Sequence, residues 1–185
     1  MKKTIIFALS LMAALYTNAQ VDLKINPIGA IFGSPDLSAE FQLKENVGLE
    51  AGLGFNVGGL TIDEFQYRRS GISGFLAGKY YLNPQQGTDR LAIGVYTRYR
   101  NIDNKVKDSE DNSSNFSRTL FATGLLISQK WLSQSGVVFE IDFGAGRAIV
   151  NDITFDDEAN SEVSLDEIPG LNIDLILRFA VGYRF

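Results

Sequence analysis

The end of the chain sets the tightest limit on its fold. From Leu171 to Phe185 every odd position is apolar: Leu171, Ile173, Leu175, Leu177, Phe179, Val181, Tyr183 and Phe185. Asn172, Asp174, Arg178, Gly182 and Arg184 fall between them. Alternation with period two is the pattern of a strand with one apolar and one polar face. This one is long enough to cross a bilayer as a tilted strand. Alternation alone does not choose between lipid and a soluble core as the partner of the apolar face.

The front of the chain narrows the choice. Residues 1–19 have the form of a secretory signal: Lys2 and Lys3, a short apolar core from Ile5 to Leu15, then Thr17-Asn18-Ala19 with small residues where a signal peptidase reads. Cleavage is expected before Gln20. That apolar run is short for a membrane span, and no later stretch reaches the length of a transmembrane helix. The chain has no cysteine, which rules out a lipobox, a disulfide framework and a thiolate metal site.

Residues 20–185 make one domain of ordinary size. Losing Lys2 and Lys3 takes the formal charge from -5 to -7, so no nucleic-acid partner is expected. Eight extended segments can be marked: Val21 to Phe32, Leu37 to Leu43, Val47 to Val57, and about 72–82, 91–100, 118–129, 137–150 and 171–185. Segments 72–82 and 118–129 have apolar residues on both faces, and a short buried helix at 118–129 stays open as an alternative. Connectors 44–46, 83–90 and 130–136 are short; 59–71, 101–117 and 151–170 are long and polar; 33–36 is a compact turn. Alternating short and long connectors suit an all-β, eight-stranded antiparallel up-and-down transmembrane β-barrel, with periplasmic turns, external loops and both termini in the periplasm.

On the polar faces Asp22, Glu40, Glu50, Glu140, Asp142 and Asp174 balance Lys24, Lys79, Arg98, Arg100, Arg178 and Arg184. An enclosed interior needs such balance, because an unpaired buried charge is costly. An eight-stranded barrel is just wide enough for side chains to fill it, so a polar filled lumen of ion pairs is expected. Gly48, Gly52, Gly54, Gly144, Gly146 and Gly182 leave room there for long side chains. Phe41, Tyr80, Trp131, Tyr183 and Phe185 near one end, and Phe55 and Tyr99 near the other, are placed as interfacial anchors.

A chain ending in Phe185, with Tyr183, Val181, Phe179 and Leu177 at alternate positions before it, resembles the substrates of the outer-membrane barrel assembly machinery. With the Asn18-Ala19-Gln20 region, the whole mature chain resembles the small outer-membrane β-barrel proteins of Bacteroidota, of the eight-stranded OmpA/OmpX type. It departs from OmpA in having no peptidoglycan-binding domain after Phe185, so cell-wall anchoring is not implied. The resemblance implies a monomer surrounded by outer-membrane lipid and lipopolysaccharide.

Chemistry is harder to find. Barrels of similar size that act as lipid A deacylases or acyltransferases use a histidine to activate a serine or another hydroxyl, and this chain has no histidine. Glu140 and Asp142 share a face and could do acid–base work, but ion pairing explains them more simply. Loop 151–170 holds Asp152, Asp156, Asp157, Glu158, Glu162, Asp166 and Glu167 without a basic residue, yet its spacing matches no EF-hand. It reads as a solvated loop, and loop 101–117 as a mobile one. No catalytic residue, cofactor or metal site is expected. The leading expectation is a non-enzymatic structural, adhesive or recognition role through loops 59–71, 101–117 and 151–170. The alternatives are a narrow channel for ions or small solutes, and a soluble periplasmic barrel that holds an apolar ligand with its faces reversed.

Overall fold

The computed structural model describes residues 20–62, 65–107, 113–155, 162–164 and 172–185, so the expected signal segment 1–19 lies outside the described residues. The strands are β1 (Val21–Ile25), β2 (Asp36–Lys44), β3 (Val47–Ile62), β4 (Phe65–Tyr81), β5 (Arg90–Lys107), β6 (Ser113–Leu132), β7 (Val137–Phe155), β8 (Glu162–Ser164) and β9 (Ile173–Arg184), with one short helix α1 (Pro27–Ile31). Each strand from β1 to β7 pairs antiparallel with the next; β7 pairs with β9, and β9 returns to β1. Eight antiparallel strands thus close a ring, and β8 is a small addition hydrogen-bonded to β7.

Period two decides which way each side chain points. Leu175 and Leu177 on β9, Leu91, Ile93 and Val95 on β5, and Phe139, Ile141 and Phe143 on β7 are exposed on the outer surface. Their neighbours Asp174, Arg178, Tyr96, Glu140 and Asp142 are buried inside. The extremes make the inversion plain: Leu177 is 81% exposed and Lys24 0%. A soluble barrel for an apolar ligand needs the opposite arrangement.

Several expected boundaries are corrected. Val21 to Phe32 is not one strand, because β1 stops at Ile25 and α1 follows. Asn26 caps that helix by accepting from the Gly29 N–H at 2.8 Å, and Pro27 starts it where its missing N–H is not needed. Segment 118–129 lies within β6 and is not helical. Its second apolar face is real, since Leu120, Ala122 and Leu126 turn inward and pack in two small apolar clusters with Ala148 and with Ala77 and Tyr96.

The largest correction concerns the expected loops. Strand β3 runs to Ile62 and β4 begins at Phe65, so most of 59–71 is paired hairpin. Residues 101–107 pair with 113–119, so the described part of loop 101–117 is a ladder as well. Strand β7 reaches Phe155, and its residues 152–154 pair with β8 inside the expected loop 151–170. Asp152 sits opposite Ser164 in that ladder, whereas Asp156, Asp157, Glu158, Asp166 and Glu167 lie outside the described residues. A strand of 20 residues, such as β6, spans about 65 Å along its own axis. That is well beyond the roughly 10 residues a tilted membrane strand needs. The wall is also uneven. The chain after α1 meets β3 where Val57 donates to Gly33 O at 2.8 Å, while β3 and β4 continue past that level to Ile62 and Phe65.

Candidate functional site

The interior is a column of charges assembled from seven strands. At the end where the termini meet, Arg184 on β9 grips Asp22 on β1 at 2.5 and 2.7 Å and also donates to Thr88 O at 2.9 Å. Lys130 on β6 lies 2.9 Å from Asp22 and 2.7 Å from Glu40, with its ammonium over the Tyr81 ring. Tyr81 in turn donates to Glu40 at 2.6 Å.

The next layer holds two lysines among three glutamates. Lys24 contacts Glu40 at 2.8 Å, Glu50 at 2.9 Å, and Glu140. Lys79 contacts Glu50 and Glu140 at 2.5 Å each and Asp142 at 3.4 Å. Glu40, Glu50 and Glu140 bring carboxylate oxygens within 4.8 Å of one another, a spacing that a metal ion could use. Here the ammonium groups of Lys24 and Lys79 supply the positive charge. Arg178 closes the layer above, 2.9 Å from Asp36 and 3.0 Å from both Glu50 and Asp142, donating to Ser38 at 2.7 Å. Its guanidinium also lies 4.9 Å from the centre of the Phe75 ring.

Burying an ion is expensive unless partners and hydrogen bonds replace water. Lys24, Lys79, Lys130 and Arg178 each have two or more carboxylates, which is how the chain meets that cost. Glycine supplies the space. A side chain at Gly52 would collide with the Phe75 ring, one at Gly182 with Lys24, and one at Gly48 with Glu40. The expected room for long charged chains is thus shared with an aromatic ring and a carboxylate.

All twelve charges expected inside lie on inward-facing positions of their strands. Two others in the ion-pair column were missed, as were Arg69 and Arg118 nearer the hairpins. Lys130 fell in an expected turn, although β6 runs on to Leu132, and Asp36 fell in the turn 33–36, although it opens β2. Glu140 and Asp142 do come together, but as ion-pair members: Asp142 accepts from Ser128 at 2.5 Å and from Arg178 at 3.0 Å.

The signs separate along the axis. The lower column carries Asp22, Asp36, Glu40, Glu50, Glu140 and Asp142 against Lys24, Lys79, Lys130, Arg178 and Arg184, one negative charge in excess. Nearer the hairpins, Arg98, Arg100, Arg118 and Arg69 share a single interior acid, Asp174, among the described residues. Asp174 is taken by Arg98 and by Tyr96 Oη at 2.7 Å. Arg118 donates to Asn151 at 2.8 Å, and Arg69 to Phe32 O and Ser34 at 2.9 Å each. Between the two zones lies a cavity of about 220 Å³. Asn26, Gly29 and Ser34 line it from the α1 segment, Arg178 and Asp142 from below, and Arg98 and Arg100 from one flank.

No family model and no curated protein matches the sequence. Solved structures do match the fold. A major outer membrane protein from Thermus thermophilus aligns over 91% of this chain and 100% of its own, with 15% identity and a TM-score of 0.62. Acinetobacter baumannii CarO aligns over 90% of this chain and 97% of its own, with 11% identity and a TM-score of 0.54. The fold is that of outer membrane β-barrel proteins.

Proposed function

We propose that this chain is an outer-membrane protein that works through its projecting hairpins and does not carry solutes through its lumen. The observation that bears most weight is the ion-pair column. Lys24, Glu40, Glu50, Lys79 and Glu140 are all essentially inaccessible to solvent and join opposite walls of the ring, leaving no aqueous path at their level. The outward apolar surface supports a lipid environment, since a barrel exposing Leu53, Leu125 and Leu177 to water would present a large aggregation-prone patch. Tyr80, Trp131, Tyr183 and Phe185, exposed near the termini, suit the lipid–water interface there.

In this reading the signal 1–19 is removed, the termini face the periplasm, and β3 to β7 rise outside the cell among lipopolysaccharide. The role is structural or one of recognition, and it is not enzymatic. The carboxylates that could act as acid and base are held by lysine and arginine, and histidine and cysteine are missing from the sequence. Two measurements test this. Fractionation of cells should place the protein in the outer membrane, and its appearance in the soluble periplasm would overturn the location. The purified protein should be silent in a planar bilayer, and stepwise conductance would overturn the closed lumen.

A further inference from the structure

The upper lumen contains an imbalance that the lower lumen avoids. Arg98 and Arg100 stand two residues apart on the inward face of β5, and both line the cavity beneath α1. The Nε atoms of both are buried and have no hydrogen-bond partner among the described residues. Arg98 spends another nitrogen on Asp174, while Arg100 has no ion-pair partner among the described residues. Arg98, Arg118 and Arg69 repel the charge of Arg100, and the one acid that attracts it, Asp174, is already taken by Arg98. A polar group left unpaired in a low-dielectric interior is costly, and a guanidinium among like charges more so. In the column below, by contrast, every cation has a carboxylate partner.

We propose that Arg98 and Arg100 form the receptor for a small oxyanion, a carboxylate or a phosphate, held in the cavity between α1 and the ion-pair column. The chemistry fits in three respects. A guanidinium offers a planar fork of donors that matches the oxygens of a carboxylate or phosphate. A volume of about 220 Å³ exceeds the roughly 30 Å³ share of one water several-fold, so it admits an oxyanion with a short substituent. The lining also includes Phe75, Leu126 and Ile176, against which an apolar substituent can lie, and its carboxylates Asp36, Glu50 and Asp142 are each held by Arg178. Below the site the column is closed, so the anion is bound rather than passed through.

The test uses the full mature chain refolded in a non-ionic maltoside detergent, so that no headgroup competes. Butyrate and inorganic phosphate are titrated separately while the arginine Nε–H resonances are followed by ¹⁵N-labelled NMR. A saturable shift of the Arg98 and Arg100 signals at millimolar ligand is expected with at least one of the two anions, and the responding anion identifies the class. Arg100→Gln should weaken that binding by roughly tenfold or more, as loss of a charged hydrogen bond implies. Arg100→Lys retains the interior charge, and so tolerates any folding demand for it, but loses the fork and should also bind more weakly. Failure of both anions to give a saturable shift overturns the proposal. So does unchanged affinity in a folded Arg100→Gln or Arg100→Lys protein.

Discussion

Replacing Lys24 with methionine removes the cation at the centre of the column while keeping a side chain of similar length. Losing one partner of a buried ion pair ordinarily costs about 3–5 kcal/mol. The neighbours decide where in that range the change falls. Glu40 retains Lys130 at 2.7 Å, and Glu50 retains Lys79 at 2.5 Å and Arg178 at 3.0 Å. Glu140 is left with Lys79 as its one direct cation. One carboxylate of three is therefore badly served, and the expected loss is about 3 kcal/mol. Glu140→Gln leaves Lys24 with Glu40 and Glu50, and Lys79 with Glu50 and Asp142, so it should cost about 2 kcal/mol. The double variant removes both opposite charges. It should be less damaged than the sum of the single changes by about 1–3 kcal/mol, the coupling expected for residues in one network. Urea unfolding in lipid vesicles can be followed by the fluorescence of Trp131, the only tryptophan of the chain. Additive single effects, or a Lys24→Met protein within about 0.5 kcal/mol of wild type, would refute the pairing argument.

Three further outcomes follow from the same structure. Leu177→Arg places a charge on the outer face at an 81% exposed position and should cost about 2–4 kcal/mol in bilayers; unchanged stability there would show that this face does not meet lipid. Ile176→Arg points inward and should act through crowding beside Tyr96 and Leu126, so thickening the bilayer should leave its loss of stability unaltered. The closed ring should resist SDS until boiled and then change its mobility on a gel, whereas equal mobility before and after heating would argue against closure. Deleting Phe185 removes one hydrogen-bonded pair with Val21 and should lower outer-membrane yield far more than the stability of refolded protein, with normal yield counting against a terminal assembly signal.

How much of this was legible depended on whether one face of a strand met something different from the other. In β5, β7 and β9 outer residues are apolar and inner ones charged, so Leu91 to Tyr99 and Ile173 to Phe185 could be assigned side by side from period two alone. Segments 72–82 and 118–129 were ambiguous because the upper lumen has an apolar layer, to which Phe75, Ala77, Leu120, Ala122 and Leu126 contribute. The hairpin extensions were invisible for another reason. Asn101 to Lys107 and Ser113 to Thr119 form a ladder with only Ile102, Val106 and Phe116 apolar among polar residues, too few to mark a face by alternation, and backbone pairing carries the strand. A register shift near Phe121, where Val150 and Ala148 oppose consecutive residues, also ends the simple odd–even rule on β7. Asn26-Pro27 did carry a helix-start signal, overshadowed by the apolar residues flanking it. Lys130 and Asp36 were lost because they sit at strand boundaries, where sequence patterns are least decisive.

The ring is closed by its shortest strand. Along β1 only residues 21–25 face 181–185 at the end of the chain, whereas β9 faces β7 all the way from 173 to 183. Taken as backbone alone, that juncture is the place where a cylinder under mechanical or thermal load would first split lengthwise. Yet Asp22 and Lys24 both come from this strand, and their partners sit on β2, β3, β6, β7 and β9. The buried charges therefore work as cross-ties that hold a weak juncture shut from within. Their loss should be felt first as faster amide exchange along β1, well before the rest of the wall loosens.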